Sequence, residues 1–357
     1  MRNRYEKLDS ERHERNARAD SAVAASSAAV GPAFRAGRVD LTIEPLRPDM
    51  VSGKPEAAHE EEVCLLGQPP LDDYLDFIRD MALDGQKADR RALVDEWRTA
   101  NDYYYELEIS EAGLADTAEC RPLDPVLQPL ADEVLADVRC RVSFDTLPIS
   151  FAMVELDKLV VCQTQVTRRF IDALKSRLGP SPGAEEIFRF CFPLGDPDAS
   201  MHVRRLGSER YLFSSESLDF RFHEPVLLQP EQIRGYDAFG PIGVVVGLVV
   251  GFGSNFLSAI RDDNRTMLSN GYHRACALRE LGITHAPCLI ETVTRRDELA
   301  LVAKHKVVAD AKLYFKAARP PLLKDFFDPK IRKIVQSRKI VRMIEVSFKV
   351  QDYTEAE

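Results

Sequence analysis

The stretch NGYHRACALRELGITHAPCLIE, Asn270 to Glu291, constrains the fold more than any other part of this chain. Arg265 to Leu268, just before it, follow the turn residues Asp262-Asp263-Asn264 and are predicted as a strand. Gly271 then supplies a sharp bend, and a helix is predicted from about His273 to Leu281. Gly282 closes that helix, because glycine takes a left-handed cap without a steric penalty, and Ala286 to Thr292 completes the unit as a second strand. The helix reads as amphipathic, with one aromatic, one imidazole and one guanidinium at its start.

Such a start makes an anion site. The first N–H groups of a helix have no intrahelical acceptor and lie at the positive end of its dipole. Gly271 carries no Cβ to hold a phosphate away. Arg274 can add charge-assisted bonds worth roughly 1.5 to 3 kcal/mol, against about 0.3 to 1 kcal/mol from the dipole, so it is expected to dominate affinity. His273 has an ordinary pKa of about 6.5, which suits it to donate to a phosphate oxygen or to shuttle a proton. The alternative for His273 is a hydrogen bond to the local backbone. Asn270, Gly271, Tyr272, His273 and Arg274 form the expected binding set.

These residues resemble the signature of the ParB/sulfiredoxin-like superfamily, in which strand, Gly-x-x-Arg, helix, Leu-Gly and a proline-containing strand follow in that order. The match rests on Gly271 to Arg274, Ala277, Leu281-Gly282 and Ala286-Pro287. It extends loosely back to Val226, covering about residues 226–291. The resemblance implies a nucleotide site with its phosphates on the turn, ATP or CTP as the nucleotide, and Mg2+ bridging the phosphates. It also implies an ATP- or CTP-dependent phosphotransferase or nucleotidase acting on an unknown small-molecule or protein acceptor. Within the superfamily, partition proteins hydrolyse CTP while clamping DNA, sulfiredoxins use ATP to repair a sulfinylated cysteine, and some relatives are free-serine kinases. Tyr272 stands where sulfiredoxins carry their essential cysteine, so sulfinate repair is not expected. Partition proteins usually read Gly-Glu-Arg-Arg here, and their helix-turn-helix has no counterpart after residue 300.

Kinase chemistry needs a carboxylate base. Glu231, just after Pro230, is the candidate, with Glu224 behind it; His273 and Glu231 are thus the catalytic candidates. Cys276, beside two alanines, reads as a small buried hydrophobe. Gly251-Phe252-Gly253-Ser254-Asn255 has the composition of a phosphate loop but lacks the Lys-Ser/Thr ending, and reads as a tight turn after a buried strand. Two other readings stay open: a nucleotide-switched, DNA-associated regulator, and a non-catalytic scaffold.

The rest of the chain frames this unit. Residues 1–60 carry mixed charge with no sustained apolar period and are expected to be a disordered tail. Residues 61–200 read as a mixed helical and β region of unknown role, 201–300 as the ParB/sulfiredoxin-like domain and 301–357 as a basic C-terminal extension. The expected fold class is therefore α+β, a mixed sheet with flanking helices. Helices are predicted near 71–83, 88–105, 126–138, 167–178 and 329–336, a strand-turn-strand over 149–163, and a buried strand over 243–252. The seven cysteines are scattered without a C-x-x-C pair, so neither a metal site nor a disulfide framework is expected. Forty-eight basic against 57 acidic residues give a net charge of −9, which disfavours nucleic acid as a partner except through a local patch such as the basic stretch after 311. No apolar run approaches the roughly 20 residues of a membrane span. The acidic residues near the N-terminus argue against a secretory leader, so a cytoplasmic protein is expected.

Overall fold

The computed structural model describes residues 59–195 and 199–355. The expected tail, 1–60, lies outside the described residues except for its last two positions. Two units separate, and the described part of the smaller is Leu227–Val245. It contains a 3-10 turn, Pro230–Gln232, closed by the Gln232 side chain accepting from the Gln229 N–H at 2.8 Å. Tyr236 and Phe239 are exposed there.

Along the chain run β1 (His59–Leu65), α1 (Leu71–Met81), α2 (Arg90–Ser110), β2 (Cys120–Pro122), α3 (Gln128–Ala136) and α4 (Val138–Ser143). Next come β3 (Ile149–Glu155), β4 (Val160–Val161), β5 (Gln165–Thr167), α5 (Arg168–Leu178) and α6 (Ala184–Cys191). They are followed by β6 (His202–Arg205), β7 (Arg210–Ser215), β8 (Phe220–Leu228), β9 (Val245–Phe252), β10 (Ser258–Asp262), β11 (Arg265–Asn270), α7 (Tyr272–Glu280) and β12 (His285–Val293). The last elements are α8 (Arg296–Val302), α9 (His305–Ala309), α10 (Ala311–Phe315), β13 (Arg332–Arg338) and β14 (Arg342–Ser347).

The fold is mixed α+β, centred on a six-stranded sheet of order β2-β3-β12-β10-β11-β4. β10 and β11 form an antiparallel hairpin, and β12 returns parallel to β10 after α7. β12 is buried from Ala286 to Glu291 on both faces, which is why it reads as an unbroken apolar run rather than an alternation. The strand, bend, helix and strand expected from the sequence are all present, with Gly271 at φ +87° and Gly282 at φ +80°. A second sheet, β13-β1-β5, brings the end of the chain back to its first described strand, and β14-β7-β6 makes a third.

Five expectations fail for identifiable reasons. α7 is not amphipathic: Tyr272 and Arg274 to Leu278 are all buried, because Ala275, Cys276 and Ala277 are small enough for α5 to pack against it. β3 and β4 do not form a hairpin; the 3-10 turn Leu156–Lys158 carries the chain to the far edge of the sheet, where β4 lies parallel to β11. The valine-rich β9 is half solvated, with Val246 66% exposed, because its only partner among the described residues is β8. Residues 329–336 yield β13 instead of a helix, since Val335 and Ser337 alternate inward against β1. The helix expected over 126–138 breaks at Asp137, whose carboxylate caps α4 by accepting from the Arg139 N–H at 2.8 Å.

The basic stretch after 311 is neutralised in part. Lys324 and Arg319 meet Glu111, Lys333 meets Glu96, and Lys339 meets Glu216, leaving a packed, paired surface rather than an open cationic stripe.

Candidate functional site

The turn is built from the end of β11 and the first residues of α7. Gly271 takes the left-handed conformation, and its carbonyl accepts the first helical bond, from the Ala275 N–H at 2.9 Å. The N–H groups of Tyr272, His273 and Arg274 thus precede the helical ladder. The Cβ-free face of Gly271, expected to be open to a phosphate, is filled by Leu257: a Cβ there would lie 2.6 Å from Leu257 Cδ1 and 3.1 Å from its Cα. Leu257 cannot easily retreat, since its N–H donates to Cys191 O at 2.9 Å and its carbonyl accepts from the Leu289 N–H at 3.0 Å. Gly271→Ala is therefore expected to cost about 2 to 5 kcal/mol of unfolding free energy in denaturant titration, from the left-handed penalty plus the overlap with Leu257.

Tyr272 does not face a ligand. It is buried, its hydroxyl donates to Leu268 O at 2.5 Å and accepts from the Cys162 N–H at 3.3 Å, and burial raises its pKa well above the ordinary phenol value. His273 Nε2 accepts from the Thr167 N–H at 3.0 Å, and the Phe170 ring meets the imidazole edge-on at 5.4 Å. Burial, helped by Arg274, pushes its pKa down to about 4. The imidazole is consequently neutral at pH 7, with Nε2 engaged as an acceptor. In this conformation the proton-shuttle role expected for His273 is replaced by a backbone bond that ties the turn to β5.

Arg274 is the anomaly. Only 6% of the residue is exposed, yet among the described residues no carboxylate lies within ion-pair distance. Its Nη1 donates to the backbone and side-chain oxygens of Asn255, and the Phe190 ring lies 5.8 Å away. Its Nε is buried without a partner. Burial lowers its pKa, opposed by Cys191 and Asp219. Asn270, the fifth residue of the expected set, donates from Nδ2 to Ser254 O at 3.3 Å. The loop after β9 is thereby pinned on both sides of the turn, with Ser254 Oγ also 2.8 Å from Ser143 Oγ.

Glu231 is exposed on the 3-10 turn of the smaller unit, and Glu224 is exposed on β8. The structure brings Asn270, Gly271, Tyr272, His273 and Arg274 together as neighbours. It adds Asn255, from the loop already singled out in the sequence, and the partly buried Asp219, which the sequence reading missed. Asp219 accepts from the Gly253 N–H at 2.9 Å and from Arg221 Nε at 3.0 Å through its carbonyl. Burial raises its carboxyl pKa, while Arg221, Arg274, Arg342 and Lys304 all act to lower it. Of these, Arg221 comes within ion-pair distance, its Nη2 3.8 Å from Asp219 Oδ1. The loop composition flagged Asn255 as a candidate; nothing near Asp219 in the sequence marked it.

Among the described residues no cluster of His, Cys, Asp or Glu could hold a metal ion. A cleft of about 230 Å³ lies at the opposite end of α7, between Glu155, Asp157, Arg279 and Thr284. Its charges are mutually paired, Arg279 with Asp157 at 2.8 Å and Lys158 with Glu155 at 3.0 Å. No helix among the described residues is long and apolar enough to cross a membrane. Compared with family models, curated proteins and solved structures, the chain has no significant match in any of the three.

Proposed function

We propose that the chain binds a nucleotide, ATP or CTP, with its phosphates on the Gly271–Arg274 turn, and transfers or hydrolyses a phosphoryl group. One observation carries this reading: Arg274 is a buried guanidinium with an orphaned Nε and only amide oxygens for company. A buried cation with no anion in direct contact is costly, and a phosphate supplies the direct partner that Asp219, acting at longer range, does not. Asn255 has to yield for a phosphate to enter. The exchange is favourable in kind, since a neutral bond contributes about 0.5 to 1.5 kcal/mol and one between charged groups roughly twice that. The cations facing Asp219 support the same sign of ligand. Magnesium, in this reading, arrives coordinated by the nucleotide's own phosphates.

The non-catalytic scaffold is the second reading. Leu257 against Gly271 and the neutral, bonded His273 favour it. A thermal-shift titration separates the two. At a hundredfold excess over Kd, ATP or CTP with Mg2+ should stabilise the protein by about 2.7 kcal/mol, roughly 4 °C in Tm. Arg274→Ala should abolish that shift while retaining a cooperative transition. If no nucleotide moves the wild-type transition, the scaffold reading stands.

A further inference from the structure

We infer that Glu62 is a positioning residue for the Gly271 turn, acting on His273 through Thr167 and making the turn responsive to pH. Thr167 sits where β5 ends and α5 begins, the place at which a threonine hydroxyl ordinarily caps the helix. Here it makes no cap bond. Its Oγ1 donates instead to Glu62 Oε1 at 2.8 Å, and its N–H donates to His273 Nε2 at 3.0 Å. One residue therefore joins a buried carboxylate on β1 to the second residue of α7. Phe170, on the next turn of α5, holds the imidazole from the side.

Glu62 is buried, yet among the described residues no cation bonds to it. Arg169, the nearest candidate, is taken by Glu60 at 2.6 Å and reaches Glu216. Arg168 and Lys175 of α5 bind Glu280. On β13, Lys333 binds Glu96 and Arg332 donates to Phe326 O, while Lys324 and Asp325 of the adjoining 3-10 turn belong to the Arg319 network. Glu60 and the un-ionised Cys64 flank it on its own strand. Burial, offset in part by Thr167 and reinforced by Glu60, pushes the Glu62 carboxyl up to about 7. An ionised Glu62 accepts from Thr167; a protonated one carries its own O–H and can donate to Oγ1, which reverses the bond and frees the threonine hydroxyl. The strap that fixes His273 thus has two arrangements near neutrality, although the imidazole itself titrates far lower.

The test is the pH dependence of the His273 ring nitrogens by NMR on full-length, histidine-labelled protein. A wild-type inflection near pH 7 is expected, absent in Glu62→Gln and Thr167→Val and retained in Thr167→Ser, which keeps the hydroxyl. An inflection that is missing in the wild type, or that persists in both Glu62→Gln and Thr167→Val, overturns the inference. Should Glu62→Gln fail to fold, Thr167→Val decides alone. A second arm rests on the nucleotide reading: affinity for ATP or CTP should change about fivefold or more across the same pH interval in wild type and stay flat in Thr167→Val. A His273 inflection without nucleotide binding upholds the strap and removes only the proposed ligand.

Discussion

Asp325→Ala should lower the unfolding free energy by about 3 kcal/mol, because it removes the bidentate partner of a buried guanidinium and leaves Glu111 as its remaining carboxylate. Arg319 has no exposed side-chain surface. Its Nη2 donates to Asp325 Oδ1 at 2.6 Å and Glu111 Oε2 at 2.9 Å, and its Nη1 to Asp325 Oδ2, Tyr104 Oη and Pro320 O. Burial works against its charge, but Asp325 and Tyr104 more than offset that and raise its pKa above the ordinary arginine range. Asp325 Oδ2 also accepts from the Leu322 N–H at 2.8 Å, and Tyr104 Oη donates to Arg319 O at 2.6 Å. The network joins α2, the Pro320-Pro321 segment and the 3-10 turn Leu323–Phe327. Removing both charges leaves no uncompensated ion, so the double variant Asp325→Ala, Arg319→Met should lose less than Asp325→Ala alone in denaturant titration. A double variant that loses the full sum of the two single changes would refute this account.

The second large effect is on the pH dependence of stability. Glu291, buried in the centre of β12, has its carboxyl pushed by burial from an ordinary 4.5 to about 7. The folded state therefore keeps a proton that the unfolded chain releases between these values. Its contribution is complete below about pH 4.5 and is lost as the pH rises through about 7. A shift of that size corresponds to about 3 kcal/mol, and Glu62 adds a loss of the same sign and similar size. His273 opposes them: its pKa falls from 6.5 to about 4, so its contribution is complete above 6.5 and is lost as the pH falls toward 4. Below pH 6.5 the histidine therefore cancels about one glutamate, and the steepest loss on raising pH falls between 6.5 and 7. Glu291→Gln should flatten this interval and be about 3 kcal/mol more stable than wild type at pH 8 relative to pH 4.5. Parallel stability profiles for the two proteins would show that Glu291 does not carry the proton.

The same residues mark how far the chemistry of a single chain can be followed from its order alone. Strand, Gly271 bend, helix, Gly282 stop and strand were all legible, because backbone permissiveness and apolar runs are properties of neighbours in sequence. That Arg274 places a guanidinium at a helix start was legible too, as a residue type. Its surroundings were not. Leu257 against Gly271, Asn255 on Arg274, Thr167 on His273 and Asp219 among its cations come from three separate parts of the chain, and no local pattern encodes which of them meet.

Local order thus set where the backbone bends and which residues carry charge, since steric and polar preferences act over a few residues. Long-range packing set which of those charges are desolvated, paired or left short of a partner. The electric field at a buried group is a sum over everything folded around it, and that sum exists only once the sheet has closed on α7.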